Sequence, residues 1–288
     1  MRRIKTNPSV ATALVAACMV MGGIAASPLG AQPSSAAASQ AVPTYADLAD
    51  LSDAASLVIR AKVRRQAALK PERAPDVPAD MVRLYIEAET ISLLSGSVPI
   101  GESLTYLVDL PRTAKGKPPK LKKTEVIVFA RPVPRSQTQL QLVDPSAQLV
   151  WSPQLEGRLR PILSEFVAND APPRIASVRD ALSIAGNLVG ESETQLFLET
   201  ADNSPAAITV TRRPGQAPRW GVSFSELVDQ SARPPERGTL AWYRLACSLP
   251  ASLPPQANLA RNADDRARTE SDYVFVMQAL GPCERNRG

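Results

Sequence analysis

The sequence contains no histidine. That absence removes Ser-His-Asp and Cys-His nucleophilic sites, and with them His-ligated zinc, copper and non-haem iron. Cysteine is nearly as scarce, with three in 288 residues, too few for a thiolate cage. No lysine has a serine three residues before it, so the Ser-x-x-Lys nucleophile is missing too. Neither G-x-G-x-x-G nor the phosphate-cradling P-loop occurs. Aromatics make up 5% of the chain, which leaves few ring faces to stack on sugars or bases. The expectation is a chain with no catalytic residue, no cofactor and no metal site.

What is present begins with an export signal. Arg2, Arg3 and Lys5 precede an almost wholly apolar run from Val10 to Ala26, the layout of a cleavable signal peptide. Cleavage is expected after Ala31, with Ala36-Ala37-Ala38 as a second set of suitable small residues. An uncleaved anchor is disfavoured because the run is mostly Ala, Gly and Val. A lipoprotein attached through Cys18 is the minor alternative, since Val15-Ala16-Ala17-Cys18 has lipobox form, but the apolar run continues past the cysteine. The mature protein is expected in the periplasm or secreted, without a transmembrane helix. Removing residues 1–31 takes three basic side chains and no acidic ones, so the formal net charge falls from +5 to +2. Nucleic acid is therefore not the expected partner. An envelope protein or an anionic envelope component is.

Cys247 and Cys283 remain, an even pair in a compartment where disulfides persist, and are expected to bond to each other. Closing such a loop stabilises a fold by about 3 to 4 kcal/mol on the chain-entropy model.

Residues 32–43 have no periodicity and read as a disordered leader. Thr44-Tyr45-Ala46-Asp47 has capping-box form and opens a short helix. Period-two alternation then predicts strands from Leu57 and from Val82, with further strands at 104–108, 126–129 and 139–143. Ser152-Pro153 opens a helix with Leu155, Leu159, Ile162 or Leu163, and Phe166 on one face. Residues 44–168 are thus expected to form an OB-like five-stranded β-barrel with a flanking helix. The run from Ala55-Ser56-Leu57-Val58-Ile59-Arg60-Ala61-Lys62-Val63 to Glu125-Val126-Ile127-Val128-Phe129-Ala130 resembles the netrin-module and metalloproteinase-inhibitor type of OB domain, although the cysteines that staple that module are missing. Residues 172–288 are expected to form a smaller α+β domain, with strands at 194–198, 207–210 and 220–224 and helices over 239–249 and from Asn262 to Leu280. The fold class is α+β. The whole chain also resembles uncharacterised exported bacterial proteins around Gly190-Glu191-Ser192-Glu193-Thr194, Trp220-Gly221-Val222 and Leu240-Ala241-Trp242-Tyr243-Arg244-Leu245-Ala246-Cys247, a resemblance that implies no activity.

The chemistry-bearing features that survive are few. Lysine is confined to the stretch before Thr124. The segment 112–123 carries Arg112, Lys115, Lys117, Lys120, Lys122 and Lys123 and no acid, and an outward row of Arg60, Lys62 and Arg64 is expected beside it. Such a patch suits a polyanion, although a solvated, flexible hairpin end that keeps sheet edges from pairing is the plainer reading of it. Paired carboxylates, Glu87 with Glu89 or Glu191 with Glu193, offer the alternative of a hydrolase acting on envelope polymers. Alternating acids on a strand more often form a solvated face. Ser192 lies between two carboxylates and has no base, and Asp202-Asn203 reads as a turn rather than a calcium loop. The favoured function is an exported, non-catalytic binding or envelope-associated protein.

Overall fold

The computed structural model describes residues 42–136, 138–225 and 233–287. The signal segment 1–31 with its alternative lipobox at Cys18, and the leader as far as residue 41, lie outside the described residues.

The first helix, α1 (Tyr45–Ala54), starts as its capping box demands. The Thr44 hydroxyl accepts the Asp47 N–H at 3.1 Å, and the Asp47 carboxylate accepts the Thr44 N–H at 2.7 Å. Leu48 and Leu51 point inward. Six strands follow: β1 (Leu57–Ala68), β2 (Met81–Ser95), β3 (Ser103–Pro111), β4 (Glu125–Pro132), β5 (Leu140–Leu142) and β6 (Gln148–Val150). They form one antiparallel sheet in the order β3-β2-β1-β4-β5, with β6 also paired to β4. The inward residues are those of the period-two pattern, among them Ile59, Ala61 and Val63 on β1 and Val82, Leu84 and Ile86 on β2. Residues Val126 to Ala130 are buried on both faces, because α1 packs against β4. At Gly96, φ is +133°, and a Cβ there would lie 2.6 Å from Leu57 Cδ2. Only glycine lets the β2–β3 turn pass so close to β1.

The expected closed five-stranded barrel is not formed: the sheet is open and has six strands. β3 meets the chain leading into β5 through a single parallel bridge, Thr105 with Gln139, and a bond from Asp109 N to Pro145 O of 2.7 Å. The reason is length. β5 has three residues, fully engaged with β4, and Pro145 just beyond it has no N–H to extend a second ladder.

Helix α2 (Pro153–Phe166), capped by Ser152, buries Leu155, Leu159, Ile162 and Leu163. A second sheet is a four-stranded meander of β7 (Ile175–Ala185), β8 (Ser192–Thr200), β9 (Ala207–Arg212) and β10 (Arg219–Ser223), in the order β10-β9-β8-β7. β7 is not among the strands expected from the sequence. Register shifts between Ile175 and Ser177 and between Val178 and Asp180 break its alternation. The buried residues Ile175, Val178, Ala181 and Ser183 are consequently spaced three, three and two apart, which has no strand signature.

Two more helices close the fold, α3 (Leu240–Ala246), capped by Thr239, and α4 (Ala263–Leu280), capped by Asn262 and ended by Gly281 at φ +70°. α4 packs on β7 and β8, while α3 contacts α1, α2 and α4. Cys247 caps the C-terminus of α3 rather than sitting inside it. It lies at disulfide distance from Cys283, just past α4, with Sγ–Sγ 2.04 Å and Cα–Cα 5.2 Å. Buried apolar side chains of both sheets and all four helices make one continuous cluster. Among the described residues no helix is long and apolar enough to cross a membrane.

Candidate functional site

The connection from β3 to β4 carries the lysines, and it is built tightly. Thr113 and Lys117 close a turn, with Thr113 N donating to Lys117 O at 2.9 Å and Gly116 N to Thr113 O at 2.7 Å. Gly116 takes φ +70° there, which glycine accepts without strain. Pro118 and Pro119 then stiffen the chain. Gln66 of β1 grips the segment from Pro119 to Leu121: its amide nitrogen donates to Pro119 O at 2.7 Å and its amide oxygen accepts the Leu121 N–H at 2.6 Å. Leu121 is buried. Lys123 N bonds Val63 O and Val63 N bonds Thr124 O, so the loop occupies the edge of β1 beyond the start of β4.

Arg112 is tied down, donating to Ala79 O and Gly116 O. Lys115, Lys117, Lys120, Lys122 and Lys123 are all exposed. Among the described residues none of these five lies within ion-pair distance of a carboxylate; the closest approaches between charges involve arginines instead.

The outward row on β1 does not extend this charge. Arg60 lies 3.7 Å above the Trp151 ring and pairs with Glu125 at 2.6 Å and Glu156 at 3.4 Å. The Trp151 indole N–H donates to Glu156, and with Arg160 and Arg60 nearby it holds that carboxyl below the usual carboxylate range against the opposing effect of burial. Arg64 pairs with Glu89, and Lys62 lies opposite Glu89 and Glu125 in the sheet register. Arg65 faces Glu87 at 3.4 Å. Each acid of the Glu87 and Glu89 pair thus has its own arginine.

Glu191 and Glu193 stand elsewhere. Both line an open groove of about 920 Å³ on the outer face of the second sheet, with Gln195, Thr209, Arg213 and Arg219. The Glu191 carboxylate accepts the Leu188 N–H, and that of Glu193 accepts from the Gln195 amide. Ser192 between them is buried at the start of β8. Asp202 accepts the Ser204 N–H, closing a turn with Asn203 at φ +61°. Among the described residues no three His, Cys, Asp or Glu side chains come together as a metal site requires.

A polar cluster that no sequence motif announces lies under α4. Asp272 is fully buried and accepts from Arg212 Nε at 2.6 Å and from the Thr194 hydroxyl, which in turn contacts Ser183 Oγ at 2.9 Å. Asp272 and Arg212 are sixty positions apart, and an aspartate in a helical run carries no mark of burial. A second polar junction joins the two ends of the described chain. Asp47 accepts the N–H groups of Asn286 at 3.0 Å and Arg287 at 3.1 Å, and Arg285 pairs with Asp50 at 2.6 Å. Burial alone would raise the Asp47 carboxyl, but the N–H groups of Thr44, Asn286 and Arg287 together hold it below its ordinary value.

No protein-family model matches this chain, and no curated protein matches it significantly.

Proposed function

We propose that this is an exported, non-catalytic binding protein that takes an anionic component of the cell envelope on the loop 112–123. The observation that carries the reading is the combination of five exposed lysines, clear of carboxylates, with a loop backbone gripped by Gln66 and anchored by Leu121. A solvated loop end has no need of such fixing, whereas a binding surface gains from holding its charges in place. Export is supported by the Arg2-Arg3-Lys5 segment with its apolar run and by a cysteine pair at disulfide distance, which fits an oxidising compartment. We read the first sheet as an OB-type arrangement. Its order β3-β2-β1-β4-β5 and the parallel bridge from Thr105 to Gln139 favour that assignment.

The test replaces Lys115, Lys117, Lys120, Lys122 and Lys123 together by Gln and measures binding to polyphosphate over a range of salt. A lysine near an anionic surface contributes about 1 kcal/mol, so the wild type should bind in a salt-sensitive manner and the variant more than about tenfold more weakly. Equal affinity would refute the assignment. A second reading, a carboxylate-dependent hydrolase of envelope polymers, is favoured by one observation, that Glu191 and Glu193 share the groove on the second sheet. Turnover of a glycan by the purified protein, abolished in Glu193→Gln, would replace the first reading with this one.

A further inference from the structure

The groove on the outer face of the second sheet is floored by two cross-strand rows. In one, Ile184 of β7 faces Glu193 of β8, Glu193 faces Thr211 of β9, and Thr211 faces Arg219 of β10. The row beside it runs from Leu182 through Gln195 to Thr209. All of these residues line the groove. The sheet register thus gives the floor an apolar end at β7, where Ile184 is 62% exposed, a polar middle, and a basic end at β10. Four strands about 4.8 Å apart make a row about 14 Å across, the length of about four extended residues.

The basic end is short of partners. Arg60, Arg83, Arg212 and Arg244 each hold a carboxylate of the fold. Among the described residues Arg213, Arg219 and Arg233 hold none, and all three line this groove. Their backbones are nonetheless fixed. Arg219 lies in the ladder with β9, the Arg213 carbonyl accepts the Gln216 N–H at 3.1 Å, and the Arg233 carbonyl accepts the Val222 N–H at 3.4 Å. Glu191 is drawn onto its own hairpin, where a Cβ on Gly186 would lie 2.4 Å from Glu191 Cγ and where its carboxylate accepts the Leu188 N–H. Glu193 is engaged by the Gln195 amide.

We propose that this groove binds an extended acidic peptide segment of a partner protein, its carboxylates taken by Arg213, Arg219 and Arg233 and its aliphatic side chains laid on Leu182 and Ile184. A planar guanidinium meets a carboxylate in a two-bond fork. Glu193, Gln195 and the threonine hydroxyls supply acceptors and donors for the N–H and C=O groups that an extended backbone brings. A polyphosphate has no N–H for Glu193, sets its own charge against that carboxylate, and leaves the apolar end of the floor unused. The site is separate from the lysine loop, and the inference does not depend on the anion-binding reading of that loop.

The experiment uses the protein purified after export, with Lys115, Lys117, Lys120, Lys122 and Lys123 replaced by Gln so that the loop does not take the probe. Calorimetry follows the blocked tetrapeptides Glu-Val-Glu-Val, Gln-Val-Gln-Val and Glu-Gly-Glu-Gly. The expected result is binding of Glu-Val-Glu-Val but not of Gln-Val-Gln-Val, weakened about tenfold by Arg219→Gln and abolished when Arg213→Gln and Arg233→Gln are added. Ile184→Ser should weaken Glu-Val-Glu-Val about tenfold and leave Glu-Gly-Glu-Gly unchanged. Because the three guanidiniums have no partner in the fold, their replacement should leave the melting temperature where it was. No binding of Glu-Val-Glu-Val, equal binding of Gln-Val-Gln-Val, indifference to the triple replacement, or displacement of the peptide by an equal concentration of tripolyphosphate would overturn the assignment. Each of these outcomes leaves the lysine loop to its own test.

Discussion

Asp47 is the residue whose replacement tests the most of this structure at once. Its carboxylate closes the α1 capping box and also accepts two backbone N–H groups from residues 286 and 287, at the far end of the sequence. Losing a capping interaction costs about 1 kcal/mol. A hydrogen bond to a charged group contributes about 1.5 to 3 kcal/mol, and the low end applies here because the terminal segment borders solvent and water can replace the lost acceptor. Asp47→Ala should therefore lower the unfolding free energy by about 3 to 4 kcal/mol, and Asp47→Asn, which keeps one acceptor oxygen without the charge, by roughly half as much. Urea denaturation followed by far-ultraviolet circular dichroism reads this as a lower midpoint at unchanged slope. Stopping the chain after Cys283 separates the two roles. In that background Asp47→Ala should cost only the cap, so the coupling between the two changes should be about 2 to 3 kcal/mol. Additive losses, or a full-length loss under about 0.5 kcal/mol, would refute the terminal tie; the latter is within the scatter of ordinary surface changes. The pH dependence has a definite sign. The carboxyl of Asp47 is held below its ordinary value in the folded protein, so its contribution is complete above the unfolded value, about pH 4, and is lost as pH falls through the depressed folded value. Wild type and Asp47→Ala should converge in stability only in strong acid.

Two further outcomes are expected from other parts of the fold. Replacing Cys247 and Cys283 by Ser, which opens a bridge between positions 36 apart, should lower stability by about 3 to 4 kcal/mol; a loss below about 1 kcal/mol, measured by the same denaturation, would mean that the unfolded chain is not the state the bond constrains. Asp272→Ala should cost about 1.5 to 3 kcal/mol, because it removes the charged acceptor that the half-buried Arg212 and the Thr194 hydroxyl share beneath α4. A melting temperature equal to that of wild type would show that the Arg212–Asp272 pair is dispensable.

The elements that could be read in advance share one property: their signals are local. Thr44 and Asp47 are three residues apart, Ser152 and Asn262 announce their own helices, and Gly281 ends α4 where the sequence says it should. β1 from Ile59 to Val63 and β2 from Val82 to Ala88 keep their alternation because one face of each meets the core. β7 does not, because its bulges shift the register twice and erase the period. The lysine loop was legible as a run of charge, but its fixing by Gln66 was not, since the two are more than fifty positions apart. The row of Arg60, Lys62 and Arg64 shows the opposite case. Its charges are plain in the sequence, and the pairing of Arg60 with Glu125 and Glu156 and of Arg64 with Glu89 depends on which elements lie side by side.

By itself the sequence determined what chemistry the chain lacks, since a missing histidine is missing in any fold, and it determined where most helices and strands begin, since caps and alternation act over a few residues. The tertiary structure decided whether the first sheet closes, which charges remain unpaired, and that Asp47 meets Arg287. Each of those depends on distances between residues remote in the chain, and a strand of three residues such as β5 leaves the sheet open for want of a second ladder, a shortfall that no composition or local pattern records.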